Sequence, residues 1–251
     1  IVAAAGNDNV DALGFLPASS NYAITVAASD PNDLKASFSN WGEKIDVAAP
    51  GVDILSAKAA FNNICTAAKG NIVGTNYCRV SGTSMAAPHV AGLAALLLSK
   101  NPSLTNEEIR QIIRSGADDL GTPGKDINFG YGRINAGASM NLSSTDPLTS
   151  IITSPSSQTT LTTTSAQVLG SVSGPNFASY KVEFGLGRTP SVWTLAANST
   201  TQVINGVLAT INASTLADGL YTIRLTAKDT SGKSYQFQVF DVTVDNIYAV
   251  I

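Results

Sequence analysis

The sequence predicts two domains of different class, an α/β domain over residues 1–142 and an all-β sandwich over residues 143–251. Three observations predict the division. Before Ser143, short continuous apolar runs alternate with helix-period segments, as a layered α/β domain requires. From Ser143 onward the chain becomes Thr-, Ser- and Val-rich, and two-residue alternation replaces helical periodicity. Hydrophobic residues make up 44% of the 251 positions, enough to fill two cores.

In the first domain, Ile1 to Ala5 and Ala23 to Ala28 read as buried strands, with Asp46 to Ala49 a third and weaker one. Val90 to Leu98 is almost wholly apolar, with Ala and Leu on every side of the helical wheel, which predicts a helix running through a core. Pro88, near its start, withholds a hydrogen bond from the Ser84 carbonyl. Thr105-Asn106-Glu107-Glu108 is a capping box, Ile109, Ile112 and Ile113 give the following helix its apolar stripe, and Gly116 stands near its end. Gly130 and Gly132 mark a turn before a final short helix.

In the second domain, Val182 and Phe184 flank Glu183, and Tyr221, Ile223, Leu225 and Ala227 alternate with Thr222, Arg224 and Thr226. Phe237, Val239 and Phe240 precede Val242 and Val244. Six or seven such runs, separated by Gly, Asn, Pro and Asp turns, describe a β-sandwich, with Asp229-Thr230-Ser231-Gly232 as one hairpin connection.

Charge narrows the function classes. Charged residues are 13% of the chain against a usual value of about 25%. The net charge is −3, the pI is near 5.0, and no Lys/Arg cluster occurs, so the electrostatic footprint of nucleic-acid binding is absent. No stretch reaches about 18 apolar residues, so no membrane-spanning helix is expected. Cys65 and Cys78 lack the neighbouring His or Cys that a metal site needs. Pairing them would close a short loop and restrain it by about 3 kcal/mol, and would argue for an extracytoplasmic setting. Two unpaired thiols are the alternative.

The chemistry concentrates in Ser81-Gly82-Thr83-Ser84-Met85-Ala86-Ala87-Pro88-His89. Thr83 is expected as the N-cap, which sets Ser84 in the first helical turn among unpaired N–H groups and the positive end of the helix dipole. A hydroxyl there is a candidate nucleophile beside a ready oxyanion site. An α/β-hydrolase elbow is disfavoured, because Ala86 stands where Gly-x-Ser-x-Gly needs its last glycine.

This segment resembles the subtilisin-like serine proteases, in which Gly-Thr-Ser-Met-Ala carries the nucleophile. Further segments resemble the family in order: Ala3-Ala4-Ala5-Gly6-Asn7, Tyr22 to Ser29, Ala36-Ser37-Phe38-Ser39-Asn40, Asp46-Val47-Ala48-Ala49-Pro50-Gly51 and Tyr131-Gly132-Arg133-Ile134-Asn135-Ala136. The resemblance covers residues 1 to about 142 and implies the C-terminal part of a three-layer parallel-sheet peptidase domain. It implies Ser84 as nucleophile, Asn7 as side-chain oxyanion donor, Ala4 and Gly6 as one wall of the substrate pocket, and Thr83 as a weaker donor. No cofactor is implied for the chemistry. In some family members carbonyls at positions matching Ala18 to Ile24 hold a weak cation, so a structural calcium ion is an expectation there.

The family carries its triad in the order Asp, His, Ser, and this chain opens after the Asp and His segments. Its one histidine, His89, lies about 140° round the helix and about 7.5 Å along it from Ser84, too far to take the serine proton, and reads as a helix-packed structural residue. The expectation is a secreted or cell-surface serine endopeptidase acting on polypeptides, of which this chain holds Ser84 and Asn7. The missing N-terminal part of the catalytic domain would be its partner, and the chain alone would be inactive. A non-catalytic binding or structural module is the alternative. Residues 143–251 resemble the immunoglobulin-like or fibronectin-like modules of secreted bacterial enzymes, with Asp218-Gly219-Leu220-Tyr221 typical of them, and both chain ends look cut from a longer polypeptide.

Overall fold

The computed structural model describes residues 1–59, 64–66, 71–142, 148–162 and 165–246. Two compact units emerge, one of Ile1–Leu104 with Ile112–Leu142, the other of Thr105–Gln111 with Ser143–Ile251.

The first unit is organised by three parallel strands, β1 (Val2–Ala4), β2 (Ile24–Ser29) and β3 (Val47–Pro50), in the order β1-β2-β3. All three lie within the runs read as strands or within one residue of them. Every residue of the central strand β2 is buried, as expected where both faces of a parallel strand are covered. On one face Ala5, Ala27 and Ala48 pack with Ala12, Ile45 and Phe129. Helix α1 (Thr83–Lys100) crosses all three strands. It buries Thr83, Ala86, Val90, Leu93 and Leu97, a stripe at three- and four-residue spacing. The remaining sides of α1 are open: Leu96 is 52% and Leu98 40% exposed. The expected all-round burial is therefore corrected to one face. Apolar composition shows what a helix tolerates covering, but only the neighbouring elements decide what is covered.

Helix α2 (Asn106–Ser115) begins with the expected box: the Thr105 N–H donates to Glu108 Oε2 at 2.7 Å, and the Glu108 N–H to Thr105 Oγ1 at 3.3 Å. Its last turn delivers Arg114 to Asp46, which is 1% exposed. Asp46 accepts from the Thr25 N–H at 2.6 Å, from Arg114 Nε at 3.0 Å, and pairs with the buried Lys44 at 3.5 Å. The guanidinium also lies 5.0 Å from the centre of the Tyr131 ring. Residues around Tyr131 run beside β3, where the Ala48 N–H donates to the Gly132 carbonyl and the Ile134 N–H to the Ala48 carbonyl. The turn needs Gly130 (φ 62°), where a Cβ would fall 2.4 Å from the Asp46 carbonyl oxygen. Helix α3 (Ala136–Asn141) follows, capped by Asn135.

Between β3 and α1 stands an antiparallel sheet absent from the sequence reading: β4 (Ile54–Ala57), β5 (Ile72–Val73) and β6 (Tyr77–Val80), in the order β4-β6-β5. The Cys65–Cys78 disulfide ties it, with both residues oxidised as a pair.

The second unit holds eight strands among its described residues, one or two more than expected: β7 (Thr149–Ser154), β8 (Thr160–Leu161), β9 (Ala166–Ser173), β10 (Phe177–Leu186), β11 (Thr194–Ser199), β12 (Val203–Ile211), β13 (Gly219–Asp229) and β14 (Ser234–Val244). One sheet has the order β12-β9-β7 and the other β11-β10-β13-β14-β8. The main apolar core draws on both sheets, with Val168, Val172 and Leu208 from one and Val182, Ile223, Leu225 and Phe237 from the other. The break in alternation at Val239-Phe240 has a structural counterpart. Tyr221 pairs with Val242 but Ile223 with Val239, so β14 carries an extra residue, and Asp241 adopts φ 56°. The bulge turns Asp241 outward to a two-pronged pair with Arg188 at 2.7 and 2.8 Å. The hairpin expected at Asp229 to Gly232 joins β13 to β14, with Asp229 accepting from Ser231, the Lys233 N–H and the Tyr235 hydroxyl.

Replacing Asp46 with Asn leaves Arg114 and Lys44 buried without their carboxylate. Urea unfolding is expected to show a loss of about 3 kcal/mol in the first unit. Burial of Asp229 works against its charge, but the hydrogen bonds from Ser231, Tyr235 and the Lys233 and Ser231 backbone prevail and hold its pKa below the ordinary value. A depressed folded-state pKa stabilises the fold above the unfolded-chain value of about 3.9, and that contribution disappears as pH falls through the folded value. The urea midpoint of the second unit should thus drop from pH 7 to pH 3, and by less in Asp229→Asn than in the parent.

Candidate active site

The site is assembled where the end of β1 meets the start of α1. Past Ala5 the chain must leave the sheet sharply, and Gly6 does so at φ 106°. A Cβ there would fall 2.3 Å from Asn40 Nδ2. Asn40, fully buried, clamps this turn: its Nδ2 donates to the Ala5 carbonyl (2.9 Å), its backbone N–H to the Gly6 carbonyl (3.0 Å), and its Oδ1 accepts from the N–H groups of Asp8 (2.9 Å) and Val10 (3.1 Å). Sequence reading placed Asn40 in a family segment without a role. A side chain that satisfies backbone groups 30 to 35 positions away leaves no local pattern.

Asn7, so positioned, caps the helix. Its Oδ1 accepts from the Thr83 N–H at 2.8 Å and from Thr83 Oγ1 at 3.0 Å, while Thr83 Oγ1 accepts from the Gly6 N–H at 3.2 Å. The expected N-cap is corrected accordingly. Gly82 is the N-cap residue, without a side chain to donate or accept, and Thr83 is the first helical residue. The capping oxygen arrives from Asn7 because Gly82, at φ 157°, has no group to supply one. Thr83 is fully buried and spends its hydroxyl proton on Asn7, so it positions Asn7 rather than facing a ligand.

This leaves a specific inventory in the first turn. The Thr83 N–H goes to Asn7, and the Met85 and Ala86 N–H groups both reach the Gly82 carbonyl. Among the described residues, the Ser84 N–H has no acceptor. With its Oδ1 committed to Thr83, Asn7 presents Nδ2 as a second unclaimed donor. Ser84 itself is exposed and opens on a cavity of about 520 Å³ lined by Leu55, Cys65, Cys78, Met85, Pro88 and His89 among others. Ala4 is half-buried at the end of β1, which among the described residues pairs with β2 alone, and Gly6 stands two positions on.

His89 is exposed on α1, which corrects the helix-packed reading. Its Nδ1 lies 2.9 Å from the Met85 carbonyl, which can only accept, so Nδ1 carries the proton. The ring is thereby tied to its own helix. It lines the same cavity as Ser84, yet no hydrogen bond joins the two among the described residues.

Three of the carbonyls between Ala18 and Ile24, where a calcium ion is expected, accept hydrogen bonds. Thr25 Oγ1 donates to the Ala18 carbonyl at 2.6 Å, the Ala23 N–H to Ser20, and the buried Lys44 ammonium to the Ala23 carbonyl at 3.2 Å and Thr25 Oγ1 at 3.3 Å. The Ala23 carbonyl therefore already faces a cation, the ammonium of Lys44. Among the described residues no group of three or more His, Cys, Asp or Glu is arranged to hold a metal.

The cap has a separable energetic role. Asn7→Ala removes the acceptor and is expected to cost about 1 kcal/mol in urea unfolding of the first unit, whereas Asn7→Asp retains an acceptor oxygen and should cost less.

A thermophilic serine proteinase of Bacillus sp. (strain AK1) is 48% identical over 136 residues, which cover 54% of this chain and 29% of that protein. Subtilisin BL of Lederbergia lenta is 38% identical over 138 residues, 55% of this chain and 45% of its own. The crystal structure of a lanthipeptide protease superimposes with a TM-score of 0.50 at 26% identity, over 56% of this chain and 49% of that one. The chain thus spans less than half the length of these relatives. Residues 1–132, more than half of the chain, match the Subtilase family. The chain belongs to the subtilase family.

Proposed function

We propose that this chain is the serine-bearing part of an endopeptidase that cleaves polypeptides, with Ser84 as nucleophile. The observation that carries the reading is the pair of unclaimed donors, the Ser84 N–H and Asn7 Nδ2, beside an exposed hydroxyl at a helix N-terminus. In this reading Ser84 Oγ attacks the scissile carbonyl carbon while a base takes its proton, and the developing oxyanion accepts from those two donors. The base then protonates the leaving amine, and water releases the acyl group from Ser84. His89 is held to the Met85 carbonyl and does not serve as that base. Base and orienting carboxylate therefore come from residues outside these 251, which complete a three-layer α/β domain around the β1-β2-β3 sheet. Ala4 and Gly6 form one wall of the substrate pocket, small enough for a side chain to pass the backbone.

Residues 143–251 are read as an immunoglobulin-like accessory module. Support comes from the division into sheets of three and five strands around one core, and from the Tyr221 hydroxyl, which donates to the Ala217 carbonyl at 3.0 Å as a tyrosine corner does at the start of its strand. The Cys65–Cys78 disulfide supports an oxidising, extracytoplasmic setting, either secreted or at the cell surface.

The isolated chain should show no fluorophosphonate labelling and no peptidase turnover above background. Addition of the preceding part of the parent polypeptide, in cis or as a second chain, should bring labelling that Ser84→Ala abolishes and Asn7→Asp reduces. A well-folded assembly that still fails to label would favour a non-catalytic binding module.

A further inference from the structure

The outer face of the five-stranded sheet carries a cavity that the peptidase reading does not use. It measures about 520 Å³, in the range of small-ligand sites, and is lined by Ser179 and Lys181 of β10, Asn198 and Ser199 of β11, and Thr226 and Lys228 of β13. The strand register explains the grouping. Lys181 pairs with both Thr226 and Asn198, and Ser179 pairs with Lys228, so these alternate side chains of three adjacent strands share the face opposite the core-facing Leu225 and Ala227, with Ser199 at the rim beside Asn198.

Two features set this face apart from ordinary solvated sheet. Thr226 is only 4% exposed, and its Oγ1 has no hydrogen-bond partner among the described residues, an arrangement that costs about 1–3 kcal/mol unless something satisfies it. The charge is also unbalanced. Lys181 and Arg224 share the single carboxylate of Glu183, at 2.8 Å each, and among the described residues Lys228 has no acidic partner. Asp229, next along the chain, is turned to the hydroxyls of Ser231 and Tyr235. Three cations against one carboxylate leave a local excess of two positive charges on a chain whose net charge is −3.

Ammonium groups select an anion, while a wall of Ser, Thr and Asn side chains, each able to donate and accept, matches a ligand dense in hydroxyls. Tyr180 also borders the cavity, but its side chain is buried in the core and its hydroxyl donates to the Leu208 carbonyl at 3.0 Å, and the Trp193 ring is covered by the Arg224 guanidinium at 3.9 Å, so recognition rests on polar groups rather than ring stacking. We propose that this cavity binds a saccharide unit bearing carboxylate or sulfate groups, and that the second unit thereby attaches the protein to an acidic polysaccharide.

Affinity electrophoresis of the full chain through gels containing polygalacturonate, dextran sulfate, neutral dextran or poly-glutamate tests this. Retardation is expected with polygalacturonate, dextran sulfate or both, and the two distinguish a carboxylated from a sulfated ligand. Neutral dextran and poly-glutamate should not retard the chain. Lys228→Glu should weaken binding at least about tenfold. Thr226→Val is the sharper variant: its hydroxyl is unpartnered in the free protein, so the melting temperature should hold or rise while affinity falls about threefold to tenfold. Absence of retardation by both acidic polysaccharides, equal retardation by poly-glutamate, or undiminished binding by Thr226→Val would each overturn the proposal.

Discussion

The first unit depends on a hydrogen bond between residues 76 positions apart, from the Thr83 N–H to Asn7 Oδ1. A helix beginning at a residue without a side chain cannot cap itself, and the strand end supplies what is missing. The consequences run in both directions. The helix start becomes fixed relative to the sheet, and the amide of Asn7 is forced into one orientation, with its nitrogen turned away from Thr83. Gly6 and Asn40 act behind this bond: one permits the turn that brings Asn7 forward, and the other fills the space a larger residue at position 6 would need. The same bond that secures the fold therefore leaves the site's donors free.

A second constraint lies at Asp46. Burying a carboxylate is costly, and here the cost is offset by two cations and a backbone N–H that come from three different parts of the unit. Lys44 works twice, since its ammonium also satisfies the Ala23 carbonyl.

Much of this was legible in the sequence. The three parallel strands announced themselves as apolar runs, and the Thr105 to Glu108 box as a local pattern, because the interactions that make them lie within a few residues. Ser84 and Asn7 stand out in the sequence through ordered motifs, and the fold brings both to the start of α1. The β4-β6-β5 sheet was not seen because its strands are two to four residues long and mostly exposed, so burial imposed no alternation. Thr83 reads as the N-cap because a capping oxygen delivered from a distant strand looks, in sequence, like no cap at all. The one-sided burial of α1 escaped for a related reason: Leu96 and Leu97 are identical as letters, and only their neighbours separate them. In the second unit the broken alternation at Val239-Phe240 was visible in the sequence, and its meaning as a bulge came from the pairing partner.

The turn at Gly6 also bears on the reach of β1. Its positive φ bends the chain out of the sheet plane two residues beyond Ala4, so the strand stops at three residues. A strand continued through position 6 would carry Asn7 past the helix start, so the shortness of β1 is itself a condition of the cap.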